Sequence, residues 1–352
     1  MSDKHLEYLK EYNGRELKLM EVCGSHTAAI AKTGIKQVIS EKIRLVSGPG
    51  CPVCVCPSSY TDKLIRLASE GKTILSFGDL IRVPGSKGSL NEAKGRGGDV
   101  RMLYSPMDSI ELALREPEKS FVFAAVGFET TIPAYALLLD EIIEKGIKNL
   151  KLLTALKCMI PVIEELCRAG SRLDGFIAPG HVSVIIGANA YRKVSKEYDM
   201  PFAVTGFKDK ELIDGIYGLV RLCENKESLR NTKQGLVRNF YSGAVEENGN
   251  KKALKKINEY FEFGDTVWRG MGEVKDSGLY LKERYMEYDA GSRFLREDEK
   301  ADARCSCDKV LTGKLTPQEC PLFLRECTLE TPRGACMVSQ EGSCYQSCIN
   351  RI

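Results

Sequence analysis

The chain has 352 residues, 51 of them basic and 48 acidic, for a net charge of +3, with 43% apolar and 28% charged side chains. This balance leaves no basic excess of the kind nucleic-acid binding needs. No stretch approaches the ~18 apolar residues that span a bilayer, and a chain of this length buries its core in more than one domain.

Residues 17–22 form an apolar run, predicted as a strand that ends at Cys23-Gly24, with a helical pattern from about Thr27. A second strand at 43–46 runs into Gly48-Pro49-Gly50. A helix follows near Ser59, where Ser59 and Asp62 have capping-box spacing with Asp in place of Glu. Residues 73–77 read as a third strand, and the Gly-rich polar stretch 85–98 as a loop. A second round starts near Ser120. It comprises strand 121–126 ending at Gly127, helix 132–145, strand 150–155 and helix 161–169. Strand 176–178, ending at Pro179-Gly180-His181, strand 201–204 and the amphipathic helix 210–223 complete it. Alternating strands and helices predict parallel sheets with right-handed crossovers. The fold class is therefore α/β, with two similar parallel-sheet units at 1–118 and 119–225. Both units open with a strand, a glycine and a threonine-bearing loop, a hint of duplication. Residues 226–302 are less regular, carry the sole tryptophan, Trp268, and are expected to bridge the units to the tail. The Cys-rich segment 303–352 has too few large apolar side chains for its own core, so a bound metal centre is expected to supply folding energy.

Fourteen cysteines stand against three histidines, His5, His26 and His181, which excludes a multi-histidine metal site. The charged segment 1–13 does not read as a signal peptide. In the reducing cytoplasm this implies, many cysteines point to metal or redox work rather than disulfide staples. Gly50-Cys51-Pro52-Val53-Cys54 is a C-x-x-C pair in a strand-to-helix loop, and Cys23 with His26 occupies the equivalent loop one unit earlier. Ligands of open α/β sheets collect beyond the carboxyl ends of the strands, so Cys23, His26, Cys51 and Cys54 are predicted to meet there. The surrounding glycines allow tight turns, and helix N-termini just downstream favour thiolates. Three thiolates and an imidazole suit iron, and the C-x-x-C pair also suits a thiol–disulfide switch. The inert alternative is small buried residues in glycine turns. His26 has the further alternatives of capping its helix or bonding a carbonyl. Cys56 is a competing ligand whose i+2 placement turns it elsewhere.

The tail reads Cys-x-Cys-x12-Cys-x6-Cys-x8-Cys-x7-Cys-x3-Cys from Cys305 to Cys348. Structural zinc pairs are two to four residues apart, which these inner gaps do not match. An iron–sulfur cluster held by four thiolates on irregular loops suits them better, and the surplus leaves room for a redox disulfide. A zinc knot is the structural alternative. Cys158, Cys167 and Cys223 lie in or beside helical patterns and read as small core residues.

Five motifs in order carry a resemblance over essentially the whole chain. They are Met20-Glu21-Val22-Cys23-Gly24-Ser25-His26-Thr27, Gly48-Pro49-Gly50-Cys51-Pro52-Val53-Cys54, Gly127-Phe128-Glu129-Thr130-Thr131, Pro179-Gly180-His181-Val182 and Cys336-Met337-Val338-Ser339-Gln340-Glu341-Gly342-Ser343-Cys344. With them the chain resembles the hydrogenase maturation factor HypD family. That resemblance implies a scaffold and redox factor for the Fe(CN)2CO unit of nickel–iron hydrogenases. Fe(II), its precursor, is shared with a HypC-type chaperone, and a HypE-type partner delivers cyanide. The resemblance implies Cys23, Cys51 and Cys54 as iron ligands with His26 beside them. It also implies a tail 4Fe-4S cluster similar to that of ferredoxin–thioredoxin reductase. By that analogy Cys305, Cys320, Cys327 and Cys336 hold the cluster and Cys307 and Cys344 form a redox pair. Exchanging Cys305 with Cys307, or Cys336 with Cys344, is the alternative. Cys348 is additional to the family pattern, and Lys208 stands where the family commonly has glutamate. Glu129 and His181 lie in motif loops at strand ends, as auxiliary groups for the iron site, a proton relay or a partner, or as structural caps. The chain is expected to be cytoplasmic, to bind neither nucleic acid nor membrane, and to be a monomer on its own. The alternative function is a cluster-dependent thiol–disulfide oxidoreductase. Whether the chain is an enzyme stays open between a scaffold and a scaffold with redox activity.

Overall fold

The computed structural model describes residues 2–170, 172–295 and 302–350. Residues 296–301 of the expected bridging region and 351–352 of the tail lie outside the described residues. Among the described residues eleven strands occur in chain order: β1 (Leu17–Glu21), β2 (Ile43–Ser47), β3 (Thr73–Ser76), β4 (Val100–Met102), β5 (Phe121–Gly127), β6 (Leu150–Lys157), β7 (Gly175–Ala178), β8 (Phe202–Val204), β9 (Val237–Asn239), β10 (Phe261–Trp268) and β11 (Gly272–Leu281). The first sheet has the order β2-β1-β7-β8-β9 and is parallel throughout. The second has the order β10-β11-β6-β5-β3-β4. It is parallel from β6 to β4, with the β10–β11 hairpin added antiparallel at one edge. β5 shows why these segments are central strands. Its sequence, Phe-Val-Phe-Ala-Ala-Val-Gly, is buried at every position, the continuous apolar run of a strand covered on both faces.

The strands are not shared out in chain order. β1 and β2 belong to the first sheet, β3 to β6 to the second, β7 to β9 to the first again, and β10 and β11 to the second. Segments 1–118 and 119–225 therefore each contribute strands to both sheets. Alternating elements predict parallel strands, but which strands pair is decided by packing that local periodicity does not carry. The two similar strand–glycine–threonine openings consequently lie on different sheets, after β1 and after β5.

Two local expectations are corrected. The stretch 85–98 is not all loop. Helix Leu90–Gly95 forms within it because Ser89 caps its N-terminus, the Ser89 side chain accepting from Glu92 N. Helix Ser58–Ser69 starts without a side-chain cap. Asp62 instead accepts from Ser86 N, Ser86 Oγ and Lys87 N, pinning the neighbouring loop. The segment after 225 is also more regular than expected, holding β9, helix Lys251–Tyr260 and the hairpin.

The tail has no core of its own. Cys307, Cys336, Met337 and Cys344 pack in one apolar cluster with Met20, Val22, Cys51, Cys54, Phe128 and Trp268. Helix Ser343–Asn350 lies against helix Gly24–Thr33. The tail thus roofs the carboxyl ends of strands from both sheets. Among the described residues no helix is long and apolar enough to cross a membrane.

Candidate functional site

Two loops meet backbone to backbone where β1 and β2 end. Gly48 N donates to Glu21 O at 2.7 Å, and Gly24 N donates to Gly50 O at 2.8 Å. A Cβ on Gly50 would sit 2.2 Å from Cys23 N and 2.5 Å from its Cα, so only glycine permits this approach. The contact sets Cys23 beside the C-x-x-C pair, as the strand-end argument predicts. Cys51 and Cys54 form a disulfide, with their Cα atoms 5.2 Å apart. Cys54 N donates to Cys51 Sγ at 3.1 Å. Among the described residues no three His, Cys, Asp or Glu side chains are arranged to hold a metal ion.

Cys23 is buried. Burial pushes its thiol up to about 12, with the Glu341 and Glu21 carboxyls adding to the rise and the His26 and Ser25 amides opposing it. The helix N-terminus alone therefore does not make this sulfur a thiolate; a bound cation would. Glu21 is buried beneath it, accepting from Cys23 N at 3.0 Å and Thr27 Oγ1 at 2.5 Å, and burial pushes its carboxyl up to about 7.

His26 turns its ring toward the β8 loop. Nε2 lies 3.2 Å from Thr205 O and 3.1 Å from Gly206 O, which makes it the protonated nitrogen. Nδ1 is buried without a hydrogen-bond partner among the described residues, and burial lowers the imidazole to about 4. Of the open alternatives, the ring makes the carbonyl contacts. His26 and His181 both pack on Phe207, at centroid distances of 4.6 and 4.1 Å. His181 Nδ1 is 3.4 Å from Ser25 Oγ, which donates to Glu341 Oε1 at 3.1 Å. A Cβ on Gly24 would meet Glu341 Cβ at 2.3 Å, so the tail closes directly over the start of this helix.

The second sheet brings Phe128 and Glu129 to the same place. Phe128 stacks on Trp268 at 5.9 Å. Glu129 is 6% exposed; its Oε1 accepts from Met159 N at 2.8 Å, while Oε2 has no hydrogen-bond partner among the described residues. Burial pushes this carboxyl up to about 7.

In the tail, Cys305, Cys307, Cys320, Cys327, Cys336 and Cys344 line one pocket with Leu322, Phe323, Gly334 and Met337. Cys348 lies outside it. A Cβ on Gly334 would be 2.8 Å from Cys305 Sγ and 3.4 Å from Cys307 Cβ, so its missing side chain keeps the pocket open. Six soft donors around an apolar pocket fit an iron–sulfur cluster. Cys336 is buried in this lining with Cys307 and Cys344. The neighbouring Cys336 first, then burial, raises the Cys307 thiol well above its usual range. Cys54 Sγ lies 3.9 Å from Ala335 O, so the disulfide abuts the residue before Cys336.

Sequence reasoning missed Glu21, Lys157, Arg269 and Glu341. Glu21 and Glu341 lie inside motifs whose cysteines drew the attention. Lys157 gave no signal, since the strand predicted from the sequence stops at Ala155, whereas β6 runs on to Lys157. Cys158 and Cys223 are buried as expected, whereas Cys167 is only partly buried.

Fold and site together define an α/β thiol protein: two largely parallel sheets direct strand-end loops toward a C-x-x-C disulfide beneath a roof of tail cysteines. The HypD family profile, described as the hydrogenase formation hypA family, matches residues 2–349. The chain is 40% identical to the hydrogenase maturation factor HypD of Escherichia coli over 345 residues, 97% of this chain and 90% of that protein. It is 42% identical to a putative hydrogenase expression/formation protein of Methanocaldococcus jannaschii over 334 residues, 94% of this chain and 90% of that protein. With HypD2 of Bradyrhizobium diazoefficiens it shares 39% identity over 339 residues, 93% of this chain and 87% of that protein. The chain belongs to the HypD family, and its role lies in hydrogenase maturation, alongside other maturation factors.

Proposed function

We propose that the chain is the cytoplasmic scaffold on which the Fe(CN)2CO unit of nickel–iron hydrogenases is assembled, with Cys23, Cys51 and Cys54 as thiolate ligands of the cargo iron. The observation that carries this reading is the Gly24 N to Gly50 O bond of 2.8 Å, which sets Cys23 beside the C-x-x-C pair. Two electrons and two protons convert the Cys51–Cys54 disulfide to two thiols, freeing both sulfurs to ligate. Iron then displaces the thiol protons, offsetting the burial that holds Cys23 up to about 12. Cyanide and carbon monoxide favour low-spin ferrous iron, for which soft thiolates are suitable partners. His26, neutral and tied to two carbonyls, orients the loop, while Glu129 and His181 border the site and supply proton-exchanging groups. A HypC-type chaperone shares the iron and a HypE-type partner supplies cyanide.

The six-cysteine pocket suits a 4Fe-4S cluster, which when bound supplies one-electron transfer. Cys307 and Cys336 are both buried in the pocket's lining, and Cys336 follows Ala335, whose carbonyl oxygen lies 3.9 Å from Cys54 Sγ, so we assign these two as the redox pair. Cys305, Cys320, Cys327 and Cys344 then remain as ligands, the Cys336/Cys344 exchange of the expected set.

Infrared spectroscopy of the anaerobically purified chain with its HypC-type partner tests the reading. Cyanide and carbon monoxide bands are expected in the wild type. They should vanish in Cys51→Ala while the cluster's visible absorbance persists; bands retained in Cys51→Ala overturn the ligand assignment. The disulfide itself favours a second reading, a thiol–disulfide oxidoreductase. Repeated reduction of a generic disulfide, given an electron donor, would support that one instead.

A further inference from the structure

At the end of the first sheet away from the thiols, a cleft of about 540 Å³ opens beside the amino-terminal ends of β8 and the edge strand β9. One wall is helix Arg192–Glu197 with the turn that follows it, and the other is the loop that enters β9. Both walls are tied down. Ser195 Oγ donates to Met200 O at 2.7 Å and Met200 N donates to Ser195 O at 2.9 Å, closing the turn around Asp199, whose φ is +49°. Gly235, with φ at +57°, donates from its N to Thr232 O at 3.0 Å, and Arg192 Nη1 crosses between the walls to Gln234 O at 2.8 Å. Four cations line the cleft, Arg192, Lys196, Arg230 and Lys233, against one carboxylate, Asp199.

The chain does not neutralise this cleft from within. Asp199 is already held by Lys226 at 3.0 Å and faces Arg230 at 3.8 Å, while Arg192 reaches Glu247 at 3.4 Å and Arg230 pairs with Glu227. Lys196 and Lys233 take part in no ion pair among the described residues. Burial first, and then Arg192, hold the neighbouring Arg238 guanidinium below its ordinary range, the sign that facing like charges give. Segments 192–199 and 226–238 together carry seven basic and three acidic residues, a net +4, against +3 for the whole chain. The near-neutral balance of the chain thus hides a positive excess gathered at one end.

We propose that this cleft is a docking site for an acidic segment of a partner protein, whose carboxylates pair with Arg192, Lys196, Arg230 and Lys233. Two observations choose a protein segment over a small anionic ligand. Ligands of open α/β sheets collect beyond the carboxyl ends of the strands, and this cleft lies at the amino ends. Lys196, Arg230 and Lys233 are exposed, so the cleft offers a charged rim to an extended chain rather than an enclosed, mostly apolar pocket. The chain works alongside other maturation factors, so protein partners are at hand. Position gives the site its use. β8 runs from this cleft to the loop of Thr205 and Gly206, whose carbonyls hold His26. A partner anchored here is a strand's length from that loop and leaves the thiols open to cargo, and the opposite charge speeds its encounter. The proposal is independent of which residues ligate iron.

The test is fluorescence anisotropy of dye-labelled decaglutamate titrated with the full chain at about 50 mM and about 300 mM salt. Binding that weakens at the higher salt is expected. Lys196→Glu combined with Lys233→Glu should lower the affinity at least about tenfold, and Lys196→Gln combined with Lys233→Gln about threefold. Lys87→Glu combined with Lys94→Glu changes the net charge equally in the stretch beside β4 of the second sheet, and should stay within about twofold of the wild type. A wild type that does not bind the peptide overturns the proposal, as does a control pair that loses as much as the cleft pair. ATP and a single-stranded oligonucleotide serve as competitors. If either displaces the labelled peptide at a lower concentration than unlabelled decaglutamate does, the cleft is a phosphate site and the proposal fails. Hydrogenase activity in a host lacking its own copy gives the cellular readout: it should fall severalfold with the Lys196 and Lys233 reversals and hold with the control pair. Maturation unchanged by the cleft reversals overturns the docking role.

Discussion

The strand-end loops and the tail gather cysteines by different means. Around Cys23 and Cys51 the backbone does the holding: parallel register fixes where β1 and β2 stop, and Gly48 and Gly50 let the loops touch. In the tail the sulfurs meet on short helices and turns, Cys307–Leu311 and Ala335–Val338 among them, around one apolar pocket. The first site is thus preformed by the sheet, whereas the second is a lining of sulfurs on short elements. On the function proposed above, metal binding couples to folding in the tail and to chemistry in the loops.

The comparison can be broken most sharply by removing sulfur from the preformed site. Cys23→Ala or Cys51→Ala should cut hydrogenase maturation by more than about a hundredfold, as for a lost reacting group, and leave the tail's absorbance unchanged. Hydrogenase activity in a host lacking its own copy measures this, and joint loss of both properties would dissolve the distinction. Cys320→Ala should do the reverse. Amide exchange should accelerate across 302–350, reflecting loss of several kcal/mol of metal-linked folding energy, while β1 and β2 keep their protection. Exchange that rises equally in both regions would show that the tail is as preformed as the loops.

Glu129 sharpens the comparison through pH. Its folded carboxyl is raised to about 7 from an ordinary value of 4.5. Below 4.5 both folded and unfolded forms are protonated and the group's contribution to stability is full. As pH rises to 7 the unfolded chain releases its proton first, so stability falls and the loss is complete above the folded value. The stability of the wild type relative to Glu129→Gln should therefore drop by about 3 kcal/mol between pH 4 and pH 8; denaturant unfolding that gives a constant difference contradicts it. Gly50→Ala, which places a Cβ 2.2 Å from Cys23 N, should lower stability by about 1–3 kcal/mol through overpacking. An unchanged denaturation midpoint would show that the loops can part. Cys223→Ala removes a core sulfur far from either site. It should cost about 1 kcal/mol and leave maturation intact; a maturation defect in this folded variant would assign Cys223 a function.

Much of the fold was legible because buried parallel strands are rich in apolar residues: β5 is a continuous apolar run, and β1 and β6 are mostly apolar, interrupted by Lys18 and Glu21 in one and by Lys151, Thr154 and Lys157 in the other. The convergence of Cys23 with the C-x-x-C pair was legible too, because strand-end loops of one sheet face one edge. The interleaving of the sheets was not, since pairing of β1 with β7 joins residues some 150 apart and leaves no local trace. Helix Leu90–Gly95 was hidden by glycines, and its cap Ser89 reads as just another loop residue. His26 was placed in the correct loop, but the Thr205 and Gly206 carbonyls that turn its ring come from the loop after β8, which sequence spacing does not bring near. The tail's contacts followed the same limit: spacing gave a cysteine centre, and only packing brought Cys336 against Cys307.

The central claim is that three loop thiols, distinct from the tail pocket, hold the cargo iron. Mössbauer spectroscopy of the iron-57-labelled chain, isolated anaerobically with its HypC-type partner, tests it directly. The account predicts a low-spin ferrous signal beside the cluster signal in the wild type, with only the low-spin component lost in Cys23→Ala and in Cys54→Ala. A low-spin component that survives both substitutions, or that disappears only together with the cluster, would contradict it.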